Sequence, residues 1–309
     1  MKNISKIIFL ENFFKLILKI ATLIIIVIFL LMFYSLFERS MPSLMENGFY
    51  ILFGSSWDPN IKLFGGAPAI LGTIISSAIA IAFAFPISLS IAIFYTEYCP
   101  LRVRPIISEI MNLLAAIPSV IYGIWGLWTI SPIIKLNFQE PIIASIGFIP
   151  LFSGPAYGLS IFLASLILTI MITPIIASIS MDIFLKTPIL LKEAMFALGA
   201  TKWEVLRHVV IPFARRGILA ATILGLGRAL GETMAVTMVI GNSYIWPFQS
   251  ISLFSPATTI TSKIASEFPE SVIDLMHNSS LMSLALILLL FSISISFITK
   301  FIEKGVKYR

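Results

Sequence analysis

The sequence predicts an all-α membrane protein with six transmembrane helices, on three observations. Of its 309 residues, 58% are hydrophobic and only 12% charged, where a soluble domain carries about 25% charged residues. Six apolar runs of spanning length are bounded by charge. The lysines and arginines also fall almost wholly into alternate loops.

About 20 apolar residues in a helix cross a hydrocarbon core about 30 Å thick. The runs that qualify are Ile20–Phe37, Ala69–Tyr95, Met111–Ile130, Leu159–Ser180, Ile218–Gly241 and Leu281–Thr299. The first follows Lys2, Lys6, Lys15 and Lys19 and so resembles a secretory signal. Its length, and the lack of a small-x-small site after Phe37, favour an uncleaved span. Before it, Ile7, Leu10, Phe14 and Ile17 recur at helical spacing among Lys6, Glu11 and Lys15, which predicts an interfacial helix over residues 1–19. Pro141–Pro150 is too short to span and reads as a dip into the interface. Pro86, Pro118 and Pro174 fall within spans, where neighbouring helices satisfy the carbonyls that proline frees. The transmembrane unit is thus 20–299, followed by a tail, 300–309.

Sixteen of the 21 Lys and Arg residues lie on one side: four in each terminal segment, two in the 96–110 loop and six in the 181–217 loop. Arg39, Lys62, Lys135 and Lys263 lie on the other. The positive-inside rule makes the crowded side, with both termini, cytoplasmic. The net charge of +6 comes from this asymmetry and gives no reason to expect nucleic acid. One cysteine, Cys99, allows no intrachain disulfide. His208 and His277 fall in predicted loops far apart, so no metal site is expected.

Two features stand out. Arg228 and Glu232 lie inside the fifth run, well within the membrane, where charge is costly and usually functional. A four-residue spacing in a helix places them on one face, with Gly227, Gly231 and Ala235 lining an adjacent face open to another backbone. An arginine fork suits an oxyanion; Glu232 would neutralise it when empty and accept from a protonated phosphate oxygen. Thr233 and Thr237 are weaker candidates. A structural ion pair is the alternative.

The second is "KTPILLKEAMFALGATKWEVLRHVVIPFARR". It reads as two short helices: Thr187 caps the first with Pro188 at its first position, and Gly199 supplies a left-handed stop. Thr201 and Glu204 form a capping box, and the second helix ends near Pro212. A mixed-charge knob of this size is suited to meeting a partner protein.

Glu193, Ala194 and Met195, then Gly199, then Val209, Ile211 and Pro212 resemble the E-A-A-x3-G-x9-I-x-L-P signature of binding-protein-dependent ABC importer permeases. "LGLGRALGETMAVTMVIGN", "LLAAIPSVIYGIWGLW", "SSWDPN" and "FGGAPAILGT" resemble PstC-type subunits of bacterial phosphate ABC transporters, over most of the chain from about Ser55. The resemblance implies a type I importer permease fold, with Glu193, Ala194, Gly199, Ile211 and Pro212 in an ATPase-coupling loop at about 181–217. It implies a non-enzymatic subunit in a bacterial inner membrane. Its partners would be a PstA-type permease, two PstB-type ATPases that hold ATP and Mg, and an extracytoplasmic PstS-type phosphate-binding protein. The chain carries no G-x-x-x-x-G-K-[ST] phosphate loop, so it is expected to bind no cofactor itself. A PstA-type subunit, a permease for another oxyanion and an ion-coupled carrier remain as alternatives; a carrier would need no coupling loop and often shows repeated halves.

Overall fold

In a bilayer each backbone polar group must find a partner within the protein, and helices achieve this locally. The computed structural model describes the backbone of residues 2–305 and the side chains of 10–298; the side chains of Lys6, Ile7 and the 300–309 tail, and the backbone of 306–309, lie outside these. Among the described residues, six helical segments are long and apolar enough to cross a membrane. This is a multi-pass membrane protein.

Helix α1, Lys2–Asn47, is one continuous rod of 46 residues. The expected interfacial helix is therefore not separate, because nothing between the amphipathic turns and the apolar run breaks the helix. Its apolar residues from Leu10 to Leu31 are exposed, as suits a lipid-facing helix. A two-stranded hairpin follows, β1 (Trp57–Asp58) and β2 (Leu63–Phe64), with Trp57 opposite Phe64. Then come α2 (Ala67–Tyr98, ending in a π-turn over Phe94–Tyr98), α3 (Arg104–Ala116), α4 (Ser119–Ile146), α5 (Ile161–Leu185), α6 (Ile189–Ala197) and α7 (Lys202–Gly231). Short α8 (Met234–Val239), α9 (Ile260–Ser271) and α10 (Leu275–Gly305) complete the order.

The third span is shifted from its expected position. Pro118 breaks the run: α3 ends at Ala116, Ile117 is extended, and α4 begins after Pro118. Apolar length alone could not distinguish a break from a kink. The span therefore extends through 140–146, which takes up most of the expected interfacial dip.

Helix α5 is the buried axis, packed against α2 and α7. The α2–α5 contact is close because small residues line it: Ala80, Ala84, Ser77 and Ser88 are fully buried. Ser88 donates to the Thr173 carbonyl at 2.9 Å, a polar tie next to Pro174. At the other end of α2, a Cβ on Gly72 would lie 1.9 Å from the Thr258 carbonyl oxygen, so only glycine fits. Helices α1 and α10 join through serines. The Ser43 main-chain N–H donates to Ser279 Oγ at 2.9 Å, and Ser283 Oγ donates to the Ser40 carbonyl at 3.2 Å.

Candidate functional site

Helix α7 starts at the expected capping box, in which Thr201 and Glu204 satisfy each other's backbone donors. It does not stop at Pro212. A π-turn over Leu206–Val210 precedes the proline, with the Ile211 N–H bonded to the Leu206 carbonyl. The wider turn accommodates a ring that would strike the carbonyl four residues back in an α-helix. One rod therefore runs from the basic loop to Gly231, and the connection between α5 and α7, which carries α6, is only 186–201.

The rod ends at Gly231, ten residues before the end of the expected fifth run. Glu232 takes an extended conformation (φ −68°, ψ 126°) and chain direction resets at α8. Arg228 sits in the last turn of α7 and Glu232 caps it, yet no ion pair joins them among the described residues. The carboxylate instead accepts a 3.4 Å hydrogen bond from the Ala235 N–H, as suits the positive start of α8. The φ of Glu232 is still helical, so its side chain keeps the face it shares with Arg228, and the break redirects only the chain that follows.

Arg228 is exposed, whereas Glu232 is 9% exposed. Both line an open cleft of ≈ 520 Å³ with Ile175, Ile179, Leu224, Gly227 and Gly231. A Cβ on Gly227 or Gly231 would meet nothing within 4 Å, so their face is open in this chain. Ala235 does not share it: it is buried, 3.0 Å from a Cβ placed on Gly123 of α4. Thr233 donates to the Gly231 carbonyl at 3.2 Å and Thr237 to the Thr233 carbonyl at 2.7 Å. Each hydroxyl's single proton is committed to local backbone.

The basic-face hairpin has the expected shape with one change. Helix α6 begins after Pro188, and the Thr187 hydroxyl is buried with no partner among the described residues; it does not cap. Gly199 is left-handed, φ +82°. Glu193 and Ala194 are exposed, while Ile211 packs against the bundle's apolar cluster. Met195, which stands where the signature has alanine, packs on the same cluster. Ile189, Leu190, Leu191, Phe196, Leu198 and Trp203 are exposed, Leu198 by 84%. Large apolar groups are thus concentrated on the exposed surface of this hairpin.

Sequence reasoning missed a polar knot on the opposite face. Lys263 of α9 is 9% exposed and ion-paired with Glu267, beneath the rings of Tyr244 (4.4 Å) and Trp57 (5.0 Å). Trp57 Nε1 donates to Glu267 at 2.8 Å, and His277 Nε2 lies 3.0 Å from the same carboxylate. Burial pulls the Lys263 ammonium below its usual range, partly opposed by Glu267. The four-residue spacing of Lys263 and Glu267 was its one legible sign. Both histidines lie on helices rather than loops. No group of three or more His, Cys, Asp or Glu side chains that could hold a metal occurs among the described residues.

The model of the family described as binding-protein-dependent transport system inner membrane component matches residues 84–308. This chain belongs to that family. Its relatives include the phosphate transport system permease protein PstC of Mesorhizobium japonicum, 48% identical over 86% of this chain and 82% of the relative. The PstC of Haemophilus influenzae is 43% identical over 90% and 88%. These bear out the PstC-type resemblance. Among solved structures, a chain of a bacterial alginate ABC transporter has TM-score 0.61 at 15% identity, covering 93% of this chain and 95% of that one. A chain of the MetNI methionine ABC transporter gives 0.57 at 19% identity, covering 78% and 95%. The fold is that of ABC importer permeases. A binding-protein-dependent permease is a non-enzymatic transport component that works with partner subunits.

Proposed function

We propose that this chain is the PstC-type permease subunit of an ATP-driven phosphate importer in a bacterial inner membrane. The observation that carries the reading is an exposed guanidinium, Arg228, lining an open cleft on a membrane-spanning helix of a chain whose relatives are named as phosphate transport permeases. A PstA-type permease completes the pathway. Two PstB-type ATPases hold ATP and Mg, and a PstS-type protein delivers phosphate outside. Both termini are cytoplasmic, since sixteen basic residues share their side.

Arg228 acts through geometry. A guanidinium presents parallel donors to two phosphate oxygens. Glu232, beside it in the cleft, accepts from a protonated phosphate oxygen and repels an anion that has no proton to give. Thr233 and Thr237 shape the backbone where α7 breaks. The exposed apolar residues of α6, with Glu193, Ala194 and Gly199, meet the ATPase; Ile211 and Pro212 set the rod that carries its motion inward. ATP-driven closure brings the coupling loops together and opens the outer face. Hydrolysis restores the inward-facing state.

The test is uptake into vesicles containing the full set of partners, with phosphate, sulfate and molybdate compared. Phosphate import that depends on ATP and on the binding protein is expected. Preference for sulfate or molybdate would overturn the substrate assignment.

A further inference from the structure

We infer that the Lys192–Glu97 ion pair is a positioning strut that carries motion of the coupling helix α6 into α2. The inference rests on the reading of the chain as an ATPase-coupled permease and adds the element that transmits the stroke.

Helix α6 is weakly held. None of its residues is buried. Met195 anchors one side of it in the apolar cluster formed by residues such as Phe184, Leu206 and Val210. One turn earlier, Lys192 Nζ lies 2.5 Å from Glu97 Oε1, with side chains 19% and 17% exposed. Of the ion pairs between described residues, this one alone ties α6 to another element. Partial desolvation makes such a pair stiffer than a surface pair, whose partners are screened and mobile.

The far end of the strut is braced. Glu97 sits in the π-turn that closes α2. Arg104 donates to the Thr96 carbonyl at 2.7 Å and to the Cys99 carbonyl at 3.3 Å, with its guanidinium over the Tyr95 ring at 5.8 Å. Lys202, at the start of α7, lies over the Tyr98 ring at 5.7 Å. A displacement of α6 therefore meets a fixed turn. Helix α2 in turn packs on α5 and α7, and α7 carries Arg228. With Met195 alone, α6 could pivot on its apolar contact. A second attachment one turn away resists that pivot and turns a push on α6 into a shift of α2.

The experiment uses the complete importer in proteoliposomes with wild-type chain, Glu97→Gln, Lys192→Gln, and the exchange Glu97→Lys with Lys192→Glu. Three quantities are read: ATPase co-purification, ATP hydrolysed and phosphate imported. We expect the single variants to assemble and hydrolyse ATP while phosphate imported per ATP falls about fivefold or more, and the exchange to restore most of that ratio. Single variants with a wild-type ratio would overturn the inference alone. So would a loss of assembly that the exchange does not repair, or a lowered ratio that the exchange does not raise. Failure of the wild-type importer to move phosphate would instead overturn the functional reading, and the strut with it.

Discussion

Thr261 Oγ1 donates a 2.7 Å hydrogen bond to the main-chain carbonyl of Glu232, joining the start of α9 to the point where α7 breaks. Helix α9 is held in place at its own start by the Thr259–Ser262 capping box. The carbonyl of an extended residue between two helices has no ladder partner, and burying it unpaired costs about 1–3 kcal/mol. Thr261 is thus a determinant of the break. We expect Thr261→Val to lower the thermal midpoint of the purified protein and to reduce phosphate uptake, and Thr261→Ser to retain both. Unchanged uptake in the valine variant would separate the break from transport.

Arg228 makes no hydrogen bond to other described residues, and the glycines beside it leave their face open. A guanidinium whose donors face an open cleft is available to phosphate oxygens. Arg228→Gln should therefore leave assembly with the ATPase intact and abolish phosphate uptake. Neutralising Glu232 as well should not rescue it. Recovery of transport in the Arg228→Gln, Glu232→Gln double variant would show that the two charges chiefly balance each other.

The legible and illegible parts of the molecule differ for physical reasons. Apolar run length gave the number of spans, because the bilayer imposes it on the sequence, but misplaced the third and the fifth. Gly199 and the Thr201–Glu204 box were legible because positive φ and orphan N–H groups have few chemical solutions. The end of α7 was not: "GETMAV" carries no proline, and the carbonyl freed at the break is met by Thr261, 29 residues later. Pro212 misled in the opposite sense, since a π-turn absorbed it. The Lys263 knot and the Lys192–Glu97 pair unite residues far apart in sequence, and a single sequence holds no record of such meetings.

The knot makes a pH prediction. Burial lowers the Lys263 pKa from 10.5 in the folded protein. Below that lowered value the ammonium is present in both folded and unfolded chains, and its desolvation opposes folding. Between the lowered value and 10.5 the unfolded chain binds more protons, so raising the pH relieves the penalty. The stability of the wild type relative to Lys263→Met should therefore increase across that window. A difference in thermal midpoint that is flat, or falls, on alkaline titration would contradict the assigned cause.

The hairpin around Gly199 should be needed for coupling and not for insertion. At φ +82° glycine is at ease, whereas proline is locked near φ −65°. A Cβ at this position meets no neighbour within 4 Å, so backbone conformation alone decides the outcome. Gly199→Pro should reach the membrane at wild-type levels but lose ATPase co-purification and phosphate uptake. Glu193→Lys, which reverses charge at an exposed site on α6, should do the same. Normal uptake in both would remove the hairpin from the coupling assignment.

Orientation can be tested on two exposed positions at opposite ends of the bundle. Asn60 lies in the turn between β1 and β2, beside the face that carries seven acids and four bases, and Lys202 opens α7 on the face that holds sixteen of the basic residues. The native thiol of Cys99 is buried, and Cys99→Ser provides a clean background. In intact cells freed of an outer barrier, an impermeant thiol reagent should label Asn60→Cys and spare Lys202→Cys until the membrane is opened. Cytoplasmic retention of lysine and arginine during insertion is the force behind this expectation. Labelling of Lys202→Cys alone from outside would invert the map. It would also place the exposed apolar face of α6 outside, where no ATP is available to drive it.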